Sequence, residues 1–249
     1  MIKKVIISAA GQGKRMKHLT KDKPKHLIEV KGHPFLYYLL ENLKEAGLKE
    51  IIIVIGYKKE VLEKFIKKYD SKITVLNQSD FVGGEYGTAC PIKCVEHLVK
   101  NKNFLAVCGD DLYSVADIKE IMIDDHYNYI AGIVDEHPET HGVLVTKKKD
   151  LPSHSRFECE GLLEKIVEKP EKFMGDLVNT GMYKFTPEIF GVVKKIPLSP
   201  RGEYEITDAV SLLAEENKVK IKKIKDYWLE FTRPEDVISV SNFLDQHFK

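Results

Sequence analysis

A short β-branched apolar stretch, Val5-Ile6-Ile7, runs straight into Ala9-Ala10-Gly11-Gln12-Gly13-Lys14-Arg15-Met16, with Pro24-Lys25 just behind. A strand that ends in a glycine turn carrying fixed cations belongs at the carboxyl edge of an open sheet, where such sheets bind their ligands. Gly11 and Gly13 let the backbone turn tightly enough for successive N–H groups to face one anion. Lys14, Arg15 and Lys25 supply positive charge. The segment therefore predicts a phosphate site, yet it matches neither common phosphate loop. A dinucleotide fingerprint needs glycine where Met16 stands, and a P-loop needs serine or threonine where Arg15 stands. On this segment alone a βα turn with surface lysines is the alternative.

Arginine usage sharpens the choice. Of 39 basic residues only Arg15, Arg156, Arg201 and Arg233 are arginine. Lysine is the default cation, so positions that keep the planar guanidinium fork are candidates for bidentate contact with phosphate or carboxylate. The net charge of +1 gives no overall drive toward nucleic acid. No apolar run reaches membrane-spanning length and the start lacks a signal-peptide core, which predicts a cytoplasmic protein with no membrane partner. Cys90, Cys94, Cys108 and Cys159 show no Cys-x-x-Cys spacing and read as reduced thiols.

The first half alternates strand and helix patterns, as in an α/β, Rossmann-like, mostly parallel sheet flanked by helices. Expected strands are Lys3–Ser8, Glu50–Ile55, Lys72–Leu76 and Phe104–Cys108. Helical spacing of Leu36, Leu39, Leu40 and Leu43, then of Val61, Leu62, Phe65 and Ile66, marks the helices between them. Beyond about residue 127 extended segments dominate, at Tyr129–Asp135, Gly142–Val145, Leu162–Glu168 and Asn179–Phe185, predicting a mixed extension of the sheet. Leu151–Gly161 reads as a surface loop and Lys147-Lys148-Lys149 as a solvated turn. Glu205–Glu216 should be helical, and Thr232-Arg233-Pro234-Glu235 has capping-box spacing before a last helix. With no linker, residues 1–249 read as a single domain.

Residues just past each strand deserve inspection in such a sheet. Phe104–Cys108 leads into Gly109-Asp110-Asp111, where adjacent carboxylates suit Mg²⁺ beside phosphate oxygens. A turn aspartate capping the next helix is the competing reading. Ile166-Val167-Glu168-Lys169-Pro170 and Asn179-Thr180-Gly181-Met182-Tyr183 place a cation and hydrogen-bonding groups at other strand ends.

In order and spacing these segments resemble the sugar-1-phosphate nucleotidylyltransferases, the NDP-sugar pyrophosphorylases. The match also takes in Thr20, Val30-x-Gly32-x-Pro34, Gly87-Thr88-Ala89, Arg201-Gly202-Glu203-Tyr204-Glu205-Ile206-Thr207-Asp208 and Trp228-Leu229-Glu230, and so runs nearly end to end. The resemblance implies the nucleotide-diphospho-sugar transferase fold, with 1–125 the nucleotide-binding half and 126–249 the sugar-phosphate-binding half, and Mg²⁺-dependent nucleotidyl transfer from an NTP to a sugar 1-phosphate, releasing pyrophosphate. UTP or dTTP is favoured, in a form like the glucose-1-phosphate thymidylyl- and uridylyltransferases. Since the chain ends at Lys249, soon after the last helix, the short form without a β-helix domain and without acetyltransfer is expected. Homo-oligomer assembly is left open.

By position the resemblance assigns Arg15, Lys25 and Lys169 to catalysis: Arg15 on the departing phosphates, Lys25 near the reacting centre and Lys169 on the sugar phosphate. Ala10, Gly11, Gly13, Lys14, Gln78, Gly87 and Thr88 would bind nucleotide, with Gln78 and Gly87 reading the base. Gly142, Glu168 and Asn179 would bind sugar, and Asp110 with Glu230 the metal. Two departures stand out. Glu230 replaces the commoner aspartate, and the stretch from Gln78 to Gly87 is longer than is usual for UTP or dTTP users. That length keeps cytidylyl transfer to a small phosphorylated alcohol or sugar open. A glycosyltransferase of related fold and an inactive sugar-nucleotide sensor are further alternatives.

Overall fold

The computed structural model describes residues 1–147 and 161–247. Lys148, Lys149, Arg156, Cys159 and the expected loop at 151–160 lie outside them. In chain order the elements are β1 (Lys4–Ala9), a small ribbon of β2 (Glu29–Val30) and β3 (His33–Pro34), α1 (Phe35–Glu45), β4 (Glu50–Ile55), α2 (Lys59–Tyr69), β5 (Thr74–Asn77), α3 (Ser79–Val82), α4 (Cys90–Val99), β6 (Phe104–Cys108), β7 (Asp111–Tyr113) and α5 (Val115–Ile121). There follow β8 (Asn128–Val134), β9 (Gly142–Thr146), β10 (Leu163–Glu168), β11 (Leu177–Phe185), α6 (Ile189–Val193), α7 (Ile206–Glu215), β12 (Val219–Lys223), β13 (Trp228–Glu230) and α8 (Asp236–His247).

A nine-stranded mixed sheet runs β10-β9-β11-β6-β1-β4-β5, with β8 on β11 and β12 on β8. Strands β6, β1, β4 and β5 are parallel, whereas β11 runs antiparallel to β6 and carries the sheet into the second half. Alternation along each strand feeds two cores. Val5, Ile7, Ile51 and Ile53 pack with α1, α2, α5 and α8 on one face; Ile6, Ile52 and Val54 pack with α4, α6 and α7 on the other. Strands buried on both faces need the near-continuous apolar runs that Val5–Ile7 and Ile51–Ile55 provide.

Leu36, Leu39, Leu40 and Leu43 of α1 are fully buried as their spacing requires. On α2 the stripe is narrower: Leu62 and Ile66 are sealed, but Val61 is exposed because α2 lies over the β4–β5 edge. Strand β5 starts at Thr74, later than the run from Lys72 suggests, because the Asp70 carboxylate accepts the Lys72 N–H and holds a turn there. The last helix is capped one residue later than Thr232–Glu235 spacing implies. Asp236 accepts the N–H groups of Thr232 (2.6 Å) and Arg233 (2.7 Å). Among the described residues no helix is long and apolar enough to cross a membrane.

Candidate active site

The glycine loop leaves β1 and is anchored by the fully buried Met16, whose N–H donates to the Gly13 carbonyl at 2.9 Å, and by the Thr20 hydroxyl on the same oxygen. Between these anchors Lys14 and Arg15 stand exposed, in no ion pair among the described residues. Lys25 sits on the short 3₁₀ turn Lys25–Leu27, and its ammonium bonds the Asp110 carboxylate.

Three carboxylates meet at this edge. Gly109 lets β6 close on β1: its N–H donates to Ser8, and an added Cβ would lie 2.9 Å from that carbonyl and 3.2 Å from the His26 ring. Past it, β7 pairs with β13 and sets Glu230 opposite Asp111, while Phe231 N–H donates to the Asp110 carbonyl. The ribbon is tied down by Asn42, which donates to the Tyr113 carbonyl (2.8 Å) and the Tyr227 hydroxyl (2.9 Å). Neither aspartate caps the next helix. Ser114 does, accepting the Asp117 N–H.

Burial opposes ionisation of Asp110, but the Lys25 ammonium outweighs it and holds its pKa below the ordinary carboxylate value. Asp111 is pushed the other way by burial, reinforced by the charges of Asp110 and Glu230. Burial also pulls the neighbouring His26 down to about 3, leaving a neutral ring whose Nδ1 has no partner among the described residues. Burial raises the Cys108 thiol well above its usual range, which removes it as a nucleophile near neutral pH. The cluster is thus rich in hard oxygen donors, and Lys25 shows that it draws a cation. Among the described residues Cys108, Asp110 and Asp111 form the group whose donor atoms lie within 4.8 Å of one another. Its two carboxylates suit a divalent ion of the Mg²⁺ type, which takes one or two carboxylates along with phosphate oxygens, and Glu230, opposite Asp111, is the next carboxylate along this edge.

The second half supplies the other edge. Glu168 pairs with Gly142 across β10 and β9, close enough that a Cβ on Gly142 would lie 3.0 Å from Glu168 Oε1. Lys169 follows with a left-handed φ of 45°. Its N–H donates to the His141 carbonyl at 2.9 Å. On β11 a bulge between Asn179 and Tyr183 turns Gly181 against Cys108 and Asp111. Asn179 spans that bulge, accepting the Gly181 N–H and donating to the Tyr183 hydroxyl.

Gln78 is held by one part of the chain, Gly87 and Thr88 by another. The long stretch between Gln78 and Gly87 is taken up by the single turn α3, a form that spacing alone did not reveal. Gln78 lines a cavity of about 340 Å³ with Gly56, Lys58, Lys59, Glu60, Asn77, Ser79 and Gly83. Gly87 lies flat on Tyr204: Ala89 N–H donates to the Tyr204 carbonyl and Tyr204 N–H to Tyr86, both at 2.9 Å. Thr88 accepts the Ile206 N–H and donates to Glu205, which Arg201 also holds. A Cβ at Gly87 would fall 2.3 Å from the Tyr204 carbonyl oxygen, at a φ of 133°. Gly87→Val is therefore expected to separate the two segments and cost on the order of 3 kcal/mol, two backbone hydrogen bonds plus strain. Denaturant melts should show that loss.

His141 is the main site residue that motif reading overlooked. Its Nε2 lies 3.1 Å from Glu230 Oε2, 89 positions away in sequence, and that hydrogen bond raises its pKa against the opposing effect of burial. Its only sequence signal is adjacency to Gly142.

The family model described as nucleotidyl transferase matches residues 4–247. A bifunctional sugar-1-phosphate nucleotidylyltransferase/acetyltransferase of Sulfurisphaera tokodaii is 32% identical over 243 residues, covering 96% of this chain and 55% of that protein. The chain thus spans little more than half of that relative's length. A UTP–glucose-1-phosphate uridylyltransferase of Haloferax volcanii, AglF, is 31% identical over 242 residues, covering 93% of this chain and 92% of the relative. A crystal structure of UDP-glucose pyrophosphorylase with UDP-glucose superposes with a TM-score of 0.83 at 24% identity, covering 99% of both chains. With its glycine loop and strand-end carboxylates set on that shared fold, the chain belongs to the nucleotidyl transferase family, among the sugar-1-phosphate nucleotidylyltransferases.

Proposed function

We propose that this protein transfers a nucleotidyl group from an NTP, UTP or dTTP by preference, to a sugar 1-phosphate. The observation that carries the reading is the Lys25–Asp110 pair, beside Asp111 and Glu230, at the same sheet edge as the glycine loop. A phosphate oxygen of the sugar phosphate attacks the α-phosphorus, the bond from that phosphorus to the bridging oxygen breaks, and pyrophosphate leaves with the electron pair. Such a displacement asks for positioning and charge neutralisation rather than a protein nucleophile. Arg15 and Lys14 hold the departing phosphates, with the backbone of Ala10, Gly11 and Gly13 turned around them. Lys25 neutralises charge at the reacting centre, and Lys169 grips the sugar phosphate while Gly142, Glu168 and Asn179 contact its hydroxyls. A Mg²⁺ held by Asp110 and Glu230 would supply charge stabilisation on the triphosphate.

Gln78 beside a cavity of about 340 Å³, with Gly87 and Thr88 fixed on the Tyr204 segment, supports base recognition there. The Haloferax relative is named for UTP and glucose 1-phosphate, which supports the uridylyl choice. Cytidylyl transfer is the second reading, carried by the inserted turn α3 next to Gln78.

Pyrophosphate release should be followed for each NTP paired with glucose 1-phosphate, N-acetylglucosamine 1-phosphate and small phosphorylated alcohols. Turnover with UTP or dTTP and a sugar phosphate is expected, abolished by EDTA and restored by Mg²⁺. Silence with every pair overturns the reading, and NDP release from an NDP-sugar and an acceptor would point to glycosyl transfer. Exposed Lys169 offers a local test. Lys169→Ala is expected to raise KM for the sugar phosphate about ten- to a hundredfold, the equivalent of one lost charge-assisted hydrogen bond. KM for NTP and the melting temperature should stay near wild type.

A further inference from the structure

His141 is gripped on three sides. Its ring Nε2 faces Glu230 Oε2 at 3.1 Å, and its Nδ1 lies 2.8 Å from the Thr140 hydroxyl. The Trp228 ring stands edge-on at 5.4 Å, and the backbone carbonyl receives the Lys169 N–H. The imidazole is largely covered, its side chain 19% exposed, while Glu230 is left 38% exposed. A glutamate side chain this open would sample several rotamers by itself, because its three torsions are restrained only by what it touches. The Glu230 backbone is fixed opposite Asp111 by the β7–β13 ribbon, but that pairing sets the residue and not its carboxylate. Among the described residues His141 is the side chain that hydrogen-bonds the carboxylate.

We propose that His141 is a positioning residue that preorganises the Glu230 carboxylate for a divalent cation shared with Asp110. The inference rests on the metal role given to Glu230 above. Because the His141 backbone also anchors Lys169, the ring is built into the second half's end of the site. The longer glutamate at position 230 is thereby held by a contact from another element, and the rotamer freedom that its extra methylene brings is restrained. Groups that orient a metal ligand commonly change metal affinity about 10- to 100-fold when removed.

Mn²⁺ binding to the full chain without substrates, read from the EPR signal of free Mn²⁺, tests this apart from turnover. His141→Ala is expected to weaken Mn²⁺ binding about tenfold. His141→Gln, whose amide nitrogen can replace Nε2 as donor, should recover most of that loss. Glu230→Ala should weaken binding as well, and His141→Ala added to it should do no further harm, since the histidine acts only through Glu230. Wild-type affinity in His141→Ala, additive losses in the double variant, or no rescue by His141→Gln at a wild-type melting temperature would each overturn the proposal. A wild-type chain that binds no Mn²⁺ overturns it too. The turnover assay separates the cases: a wild-type enzyme that is active while His141→Ala binds Mn²⁺ normally leaves the proposed function standing and removes this inference alone.

Discussion

Asp110→Asn is expected to lower kcat about 10²- to 10⁴-fold, the equivalent of roughly 3–5 kcal/mol of lost charge stabilisation. The amide keeps the shape of the carboxylate, so what disappears is its charge. In the proposed reaction a cation at this edge would then lose an anionic ligand, and the triphosphate part of the field that neutralises it. The fold should lose less than it would from removing Lys25. Asp110 and Glu230 both push the Asp111 pKa up, so removing one of them relieves repulsion inside the cluster. Lys25 also still faces Asp111, whose ionisation it favours. The expected pattern is a melting temperature that falls by less than in Lys25→Met, a deep fall in kcat in single-turnover assays, and little gain from raising Mg²⁺. Wild-type turnover in a folded variant would remove Asp110 from the chemistry.

Which parts of this arrangement a reader of the sequence could see follows from how far each interaction reaches. Val5–Ile7 and Phe104–Val107 announce buried strands because their alternation is local, and in a parallel sheet the residues after such strands fall on one edge. Asp110 and the glycine loop are therefore locatable from spacing alone. The partnership of His141 with Glu230 is not, since β13 is only three residues long and carries no periodic signal. Asn42 shows the same limit. It reads as an ordinary polar residue of α1, yet it is buried and supports β7 through Tyr113. The stretch from Gln78 to Gly87 lies between. Its length is plainly unusual, whereas its resolution as one helical turn depends on local packing, with Asn77 bonding Ser79 and Asp80. The cap of α8 is a near miss of another kind, because Glu235 and Asp236 are both acidic and only geometry decides which one serves.

Lys25→Met should be the more damaging change, to structure as well as turnover. Methionine fills much of the volume of the lysine stem but leaves Asp110 without its ammonium, in a setting where burial already opposes the charge. The side chains of Lys25 and Asp110 are 12% and 19% exposed, so solvent replaces little of what is lost. Removing one partner of so covered a pair costs on the order of 3 kcal/mol, limited by protonation of the stranded carboxylate. The pH dependence has a definite sign. In the wild type the Asp110 pKa is depressed, so the pair stabilises the fold above the unfolded-state pKa and the benefit fades as pH falls. In Lys25→Met burial takes over and the folded pKa rises, so stability drains away as pH climbs through it. The gap in melting temperature between the two proteins should thus be small near pH 3 and widen toward neutrality. Adding Asp110→Asn to Lys25→Met removes the stranded charge, and a neutral pair of similar shape should regain most of the lost stability at neutral pH. Turnover should stay at least about 10³-fold down, because both groups that handle charge are gone. A double variant that melts no higher than Lys25→Met would show that the unpaired Asp110 carboxylate is not the source of the penalty.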